Sequence, residues 1–232
     1  MIAKSPRTSH QPTPRVPGLE REKVVQAALA LLDEAGFDKL TLRRVADKLG
    51  VKAAALYWHF KNKQDLIDEM ALYVIRGGPP RPEQRIRHMP WQDLLRQVGR
   101  TQRRALLAHR DGARLIASAD LTSTPLLEGM ERLLHTLHTQ GFPADLALLS
   151  LINISRYTLG CVFEDQADPR AKEAAQTARQ QLIQQTPDRF PVVAQAIGEL
   201  AGKRGLTPTR QYEHGLDLLI TGLERKLQQT KA

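Results

Sequence analysis

Between Thr41 and Phe60 the apolar residues are spaced for two short helices around a turn and for nothing longer. Val45 and Leu49 stand four apart, Ala46 shares their side, Gly50 interrupts, and Val51 and Leu56 resume. Thr41 can open the first helix by accepting from the free amides of its first turn. Gly50 can take the left-handed conformation that ends that helix and turns the chain, and the small Ala46 lets a second helix cross closely. With Val51 and Leu56 closing a miniature core, Lys52, Ala53, Ala54, Ala55, Tyr57 and His59 stay outward on the second helix. That face is narrow enough for the major groove of B-DNA. A plain helical hairpin with solvated lysines has the same spacing, so spacing alone leaves both readings open.

Charge weighs between them. Twelve Lys and Arg face six acids over residues 1–63, so +6 of the chain's +9 lies in its first quarter, and residues 64–232 are nearly balanced. A basic head on a near-neutral body is what phosphate attraction by one domain requires. A membrane surface would attract the same charge, but no long amphipathic basic helix and no apolar run near eighteen residues is expected. The single Cys161 excludes an intramolecular disulfide and a cysteine-based zinc finger. No charged-then-apolar signal segment opens the chain, so the expected location is the cytoplasm.

Strand signals are nearly absent and helical periodicity returns between breakers, which predicts an all-α fold. Residues 1–18 hold four prolines, three cations and no acid, and read as a disordered basic tail. A first helix is expected from about Leu19 to Ala35 and stops at Gly36. Residues 19–63 then form the helix-turn-helix head, and residues 64–90 a connecting helix that ends at Gly77-Gly78-Pro79-Pro80. The body spans 91–232, with helices near 91–108, 112–119, 124–139, 143–163, 189–201 and 209–228. Segment 164–188 is polar and reads as a mobile connection or a weak helix.

The 143–163 helix is apolar around most of its circumference, from Leu146 to Phe163, and a helix apolar on all sides must be buried on all sides. In so small a body this points to a second chain covering it, as do the broad apolar spread of the last helix and its Gly215 and Gly222, seven apart. Two helices from each of two copies would build a four-helix interface, and a two-fold dimer would present two short helices to a near-palindrome. A purely intrachain core is the alternative.

At this point the residues resemble a known family. Leu19 through Lys63, above all Leu56-Tyr57-Trp58-His59-Phe60-Lys61-Asn62-Lys63, is similar to the amino-terminal domain of the TetR family of transcriptional regulators. Trp91-Gln92-Asp93-Leu94-Leu95-Arg96, Arg103-Arg104-Ala105-Leu106-Leu107, His109-Arg110-Asp111-Gly112-Ala113 and Thr158-Leu159-Gly160-Cys161-Val162-Phe163-Glu164-Asp165-Gln166 resemble the carboxy-terminal domain of the tetracycline repressors. The resemblance implies a homodimeric repressor, a small-molecule effector bound in the body, and heads that move too far apart for operator DNA when the effector binds. An activator, or a ligand-independent operator binder, would share every feature of the head.

Carried over by position, Arg43 matches a base-reading arginine, and Tyr57, His59 and Lys63 match phosphate contacts. Ala53 and Ala54 fall where those repressors place Gln and Pro. Alanines neither donate nor accept through their side chains, so discrimination there rests on thymine methyl contact, and hydrogen-bonded readout falls to Arg43 with Arg44 beside it. The candidate DNA-contacting set is Thr41, Arg43, Arg44, Lys52, Ala53, Ala54, Ala55, Tyr57, His59 and Lys63.

The effector region departs further. Ile116 stands where the tetracycline repressors carry a metal-coordinating His, Ala119 and Asp120 replace a Thr and an Arg, Val98 and Gln102 an Asn and a Phe, and Arg156 a later His. Glu164 alone survives. One carboxylate does not hold a hard cation, so no metal is expected and a magnesium-tetracycline effector is disfavoured. The expected site comprises Val98, Gln102, Leu106, Ile116, Leu133, Leu134, Leu137, Leu151, Arg156 and Glu164, which suits an apolar ligand able to carry an acid. Glu131, His135 and His138 have helical spacing, but such histidines are usually solvated. No phosphate loop or nucleophile elbow is present, and Cys161 reads as a buried inert thiol, so no enzyme is expected.

Overall fold

A computed structural model describes residues 20–77, 89–185, 189–202 and 207–231. The basic tail read at 1–18, and Gly78, Pro79 and Pro80 of the expected linker, lie outside the described residues. Among the described residues the chain is helical throughout, with eleven α-helices, one short 3₁₀ turn and no strand. The head comprises α1 (Arg21–Ala35), α2 (Leu42–Leu49), α3 (Ala53–Leu56) and α4 (Lys63–Arg76). The body comprises α5 (Trp91–Leu107), α6 (Gly112–Ala117), α7 (Thr124–Thr139), α8 (Ala144–Asp165), α9 (Pro169–Gln185), α10 (Pro191–Gly202) and α11 (Pro208–Lys231).

The local chemistry of the head follows its residues. The Arg44 amide donates to Thr41 Oγ1, capping α2, and Gly50 closes it at φ 67° and ψ 27°. Asn62 caps α4 by accepting from the Asp65 amide at 2.9 Å, while Asp65 accepts from the Lys61 amide at 3.0 Å, so the entry to α4 is tied at two points. The second helix of the motif is shorter than its apolar pattern suggests. It keeps helical hydrogen bonds only over Ala53–Leu56, and Tyr57, Trp58 and His59 continue as a turn.

Two apolar cores hold the molecule. The first joins α1–α4 and includes Val24, Leu32, Leu40, Val45, Leu56, Phe60, Leu66 and Met70. It also takes in Leu106, Ala113, Leu115 and Ile116 from the α5–α6 region and Val162 from α8, so α6 packs as part of the head's core. The second is built from Trp91, Leu94 and Leu95 of α5, Leu137 of α7, Leu151 and Ile154 of α8, and Tyr212, Leu216 and Ile220 of α11. Along its flank run Gln92–Glu224, Arg96–Asp217 and Arg100–Glu213 at 2.7–3.0 Å, three antiparallel pairs between α5 and α11. The Glu213 partner also raises the Arg100 pKa further.

Helix α8 corrects two expectations, on hydropathy and on Cys161, and leaves open what covers its second side. Its Ala147, Ser150, Leu151, Ile154, Thr158 and Val162 are buried, but Leu149 and Phe163 on the other side are 52% and 60% exposed, so one chain covers only half of it. It is also long and apolar enough to cross a membrane, where no such run was expected. In this fold part of that apolarity serves the two cores, through Ala147, Leu151, Ile154 and Val162. Cys161 is half-buried against the second core, not fully buried. The polar stretch after α8 contains a regular helix, α9, whose described side chains are mostly exposed.

Candidate nucleic-acid interface and effector body

The candidate residues of the head lie on α2, on α3 and its following turn, and at the ends flanking them. Arg43, Lys52, Ala54 and Tyr57 are exposed, and Ala53, Ala55, His59 and Lys63 are half-buried. Their roles in the fold differ. The Arg44 guanidinium donates to the Lys39 carbonyl at 2.9 Å, which holds it against its own domain. Lys63 places its ammonium 5.2 Å from the centre of the Phe37 ring. The Arg43 guanidinium makes neither a hydrogen bond nor an ion pair among the described residues, which leaves its fork of donors free for an acceptor outside the chain.

Two residues of the head were not singled out from the sequence. Trp58 is 52% exposed beside Tyr57 at 58%, an aromatic pair at the mouth of the turn. An apolar side chain facing water just after an apolar-periodic helix was the available signal. Arg21 is the second. It donates to the His59 carbonyl and to Asp65 and Glu69, and its guanidinium lies 4.5 Å from the Phe60 ring centroid. It thereby fixes the α3–α4 connection from α1, a long-range role that carries no local sequence signature.

A polar seam joins head to body. Asp33 accepts from His109 Nδ1 at 3.1 Å and from the Arg110 amide at 2.9 Å, and Asp111 accepts from the Phe37 amide at 2.8 Å. Arg114 pairs with Asp38 through both carboxylate oxygens, at 2.9 and 2.6 Å. That hydrogen-bonded guanidinium holds the Asp38 carboxyl below the usual aspartate range. On the α4 side, Gln64 donates to the Ser118 carbonyl and Asp68 accepts from the Asp120 amide, at 2.8 and 2.7 Å.

The ten expected effector residues divide between the two cores. Leu106 and Ile116 are buried in the first, Leu137 and Leu151 in the second, and Val98, Leu133 and Leu134 pack half-buried against the second. Gln102 lies between Val98 and Leu106 along α5 and donates to Ser155 Oγ at 2.8 Å. Arg156 and Glu164 are exposed. Deeper in the body, Tyr212 OH and Thr158 Oγ1 share a hydrogen bond of 2.9 Å, and Arg103 pairs with Asp165 at 2.8 Å while lying over the Tyr212 ring. Burial pushes both the Tyr157 and Tyr212 phenols up, so both stay neutral hydrogen-bonding groups. His138 caps its own turn through the Phe142 carbonyl, and among the described residues no three His, Cys, Asp or Glu side chains form a metal-holding group.

Comparison with known proteins places this architecture. Residues 24–70 match the family model of the bacterial regulatory proteins of the tetR family, and residues 87–227 that of the tetracyclin repressor-like carboxy-terminal domain. The class C tetracycline repressor of Escherichia coli is 36% identical over 211 residues, covering 89% of this chain and 91% of that protein. Among solved structures, the Streptomyces coelicolor TetR family protein ActR in complex with (S)-DNPA superposes with a TM-score of 0.75 at 27% identity, covering 91% of this chain and 100% of that one. Class A TetR in complex with 5a,6-anhydrotetracycline and magnesium gives 0.63 at 32% identity, covering 87% and 96%. A basic head with a capped helix-turn-helix, bonded to a helical body through the end of α1 and through α4, is thus the build of a DNA-binding transcriptional regulator, and the chain belongs to the TetR family.

Proposed function

We propose that the protein is a homodimeric repressor that binds a palindromic operator and is released by an apolar small molecule other than magnesium-tetracycline. The observation that carries the DNA-binding half is Arg43, unengaged and exposed beside the alanine-faced α3 on the basic head. A planar guanidinium there can address guanine bidentately while the alanines admit thymine methyls. The half-covered α8 and the exposed Leu218 of α11, at 61%, supply an apolar face for a second copy, and two copies bring two heads to one duplex.

The effector class follows from what stands in the body. Magnesium bound with a tetracycline needs several oxygen or nitrogen donors together, whereas Ile116 is sealed in an apolar core and Glu164 faces solvent. These residues do not fit that cation. Val98, Gln102 and Leu106 run at four-residue spacing along α5, from the second core to the first. Arg156, expected as a second polar fixture beside Gln102, faces solvent instead. A ligand along the α5 line, held by Leu133 and Leu134 with Gln102 as the polar fixture, presses on both cores at once. That is a physical route from occupancy to the placement of the heads.

The test is selection from a randomised duplex pool followed by anisotropy titration. The expected result is one palindrome, bound with steep salt dependence and released by a member of an apolar-acid library. Arg43→Ala should cost about 1–3 kcal/mol and relax base preference, while Lys63→Ala should weaken all sequences alike. Recovery of no palindrome would overturn the operator reading, and release by tetracycline with magnesium would overturn the effector class.

A further inference from the structure

We infer that Gln166, at the end of α8, is a positioning residue that grips the α5–α6 turn and so sets where each head stands in the dimer. This rests on the operator-binding reading above. The Gln166 Oε1 accepts from the Ala113 amide at 3.1 Å, and its Nε2 donates to the carbonyls of Leu106 at 3.1 Å and His109 at 2.7 Å. Both amide protons are thus spent on one turn, and the reverse amide orientation would aim an oxygen at two carbonyls, so the assignment is fixed by its partners.

The turn is built to be held from outside. Gly112 lies so close beneath the Leu106 carbonyl that an added Cβ would sit 2.2 Å from that oxygen, and Asp111 adopts φ 55°. Asp111, at the N-cap of α6, does not cap it with its side chain, which instead accepts from the Phe37 amide in the head. Gln166 supplies the missing acceptor at Ala113. From the same turn Arg110 and His109 reach Asp33, and one turn on Arg114 reaches Asp38. The helix that carries Gln166 also carries the exposed Leu149 and Phe163 face. One side chain therefore links the face offered to a second copy with the peptide segment bonded to the head.

The experiment compares wild type with Gln166→Met, close in volume but without the amide, and Gln166→Glu, which keeps the acceptor and gives up both donors. Each full-length protein is titrated against the palindrome recovered by wild type and against versions with two base pairs inserted or removed between half-sites. Wild type should prefer its own spacing by about tenfold or more, and the variants' preference should fall to about threefold or less. Loss of stability alone would weaken all spacings equally, so a variant that keeps the wild-type ratio overturns the inference, whatever its overall affinity. Hydrogen exchange provides the second readout, and needs only a folded Gln166→Met, which removes the Ala113 acceptor along with both donors. Exchange at the Phe37 and Ala113 amides should rise about tenfold together, and unchanged protection at Phe37 overturns the coupling. A wild type that recovers no palindrome defeats the operator reading, and the exchange data then judge Gln166 alone.

Discussion

The two cores are finished to different degrees. The first closes on itself: Val24, Ala28, Leu32, Leu40, Val45, Leu56, Phe60 and Leu66 have no exposed surface, and α6 plugs the side that faces the body. The second is closed on one side by α5 and α11, yet Leu149, Phe163 and Leu218 remain outside it in water. Apolar side chains of this size on neighbouring helices form the kind of patch that marks a binding surface. The contrast teaches that the first core is completed within one chain, with help from α6 and α8, whereas the second leaves an apolar face open, the one the proposed second copy would cover.

The largest effect that would break this contrast is on assembly. Leu149→Asp combined with Leu218→Asp should raise the dimer dissociation constant by about a thousandfold or more, read by sedimentation, because charge would be buried without a partner. A double variant that stays dimeric at micromolar concentration would remove the distinction between the cores. Next is Leu56→Ala, which opens a cavity in the closed core and should cost about 2–5 kcal/mol in denaturant unfolding.

The glycines of α11 sharpen the comparison further. At Gly215 a Cβ would stand 2.1 Å from the Tyr157 hydroxyl and 2.6 Å from its ring carbon, displacing a phenol that donates to the Gln211 and Tyr212 carbonyls. Gly215→Ala should therefore cost about 1–3 kcal/mol. A Cβ at Gly222 would meet nothing within 4 Å beyond its own helix among the described residues. Gly222→Ala should leave the folded chain unchanged or firmer by up to about 1 kcal/mol, on helix propensity.

The smallest effect is at the polar seam. Because Arg114 depresses the folded-state pKa of Asp38, the pair adds stability above the unfolded carboxyl's pKa and loses it as pH falls through the lower folded value. Melting curves of wild type and Asp38→Asn should differ slightly at neutral pH and converge as the pH falls past the usual aspartate pKa of about 3.9 and through the lower folded value. A gap that persists into acid would assign the effect to something other than the ion pair.

The head was legible in the sequence because its determinants are local. Thr41, Gly50 and Asn62 act within a turn of themselves, and the four-residue spacing of Val45 and Leu49 names its own buried side. What escaped was long-range. Arg21 acts 38 to 48 residues away, and nothing beside it in the chain announces His59 or Glu69 as its partners. The apolar circumference of α8 was plain, but periodicity reports how much surface must be covered and not by which chain. In the effector region, composition gave the apolar set, yet it could not divide Leu106 and Ile116 from Leu137 and Leu151, because membership of a core depends on helix packing between α5, α6 and α8.

The placement of the two tryptophans has a practical consequence. Trp58 is 52% exposed in the head, and Trp91 is 8% exposed and set edge-on to Phe142 in the second core. Their emission should separate by colour and by access to a soluble quencher, so the unlabelled protein carries one optical reporter in the head and one in the body.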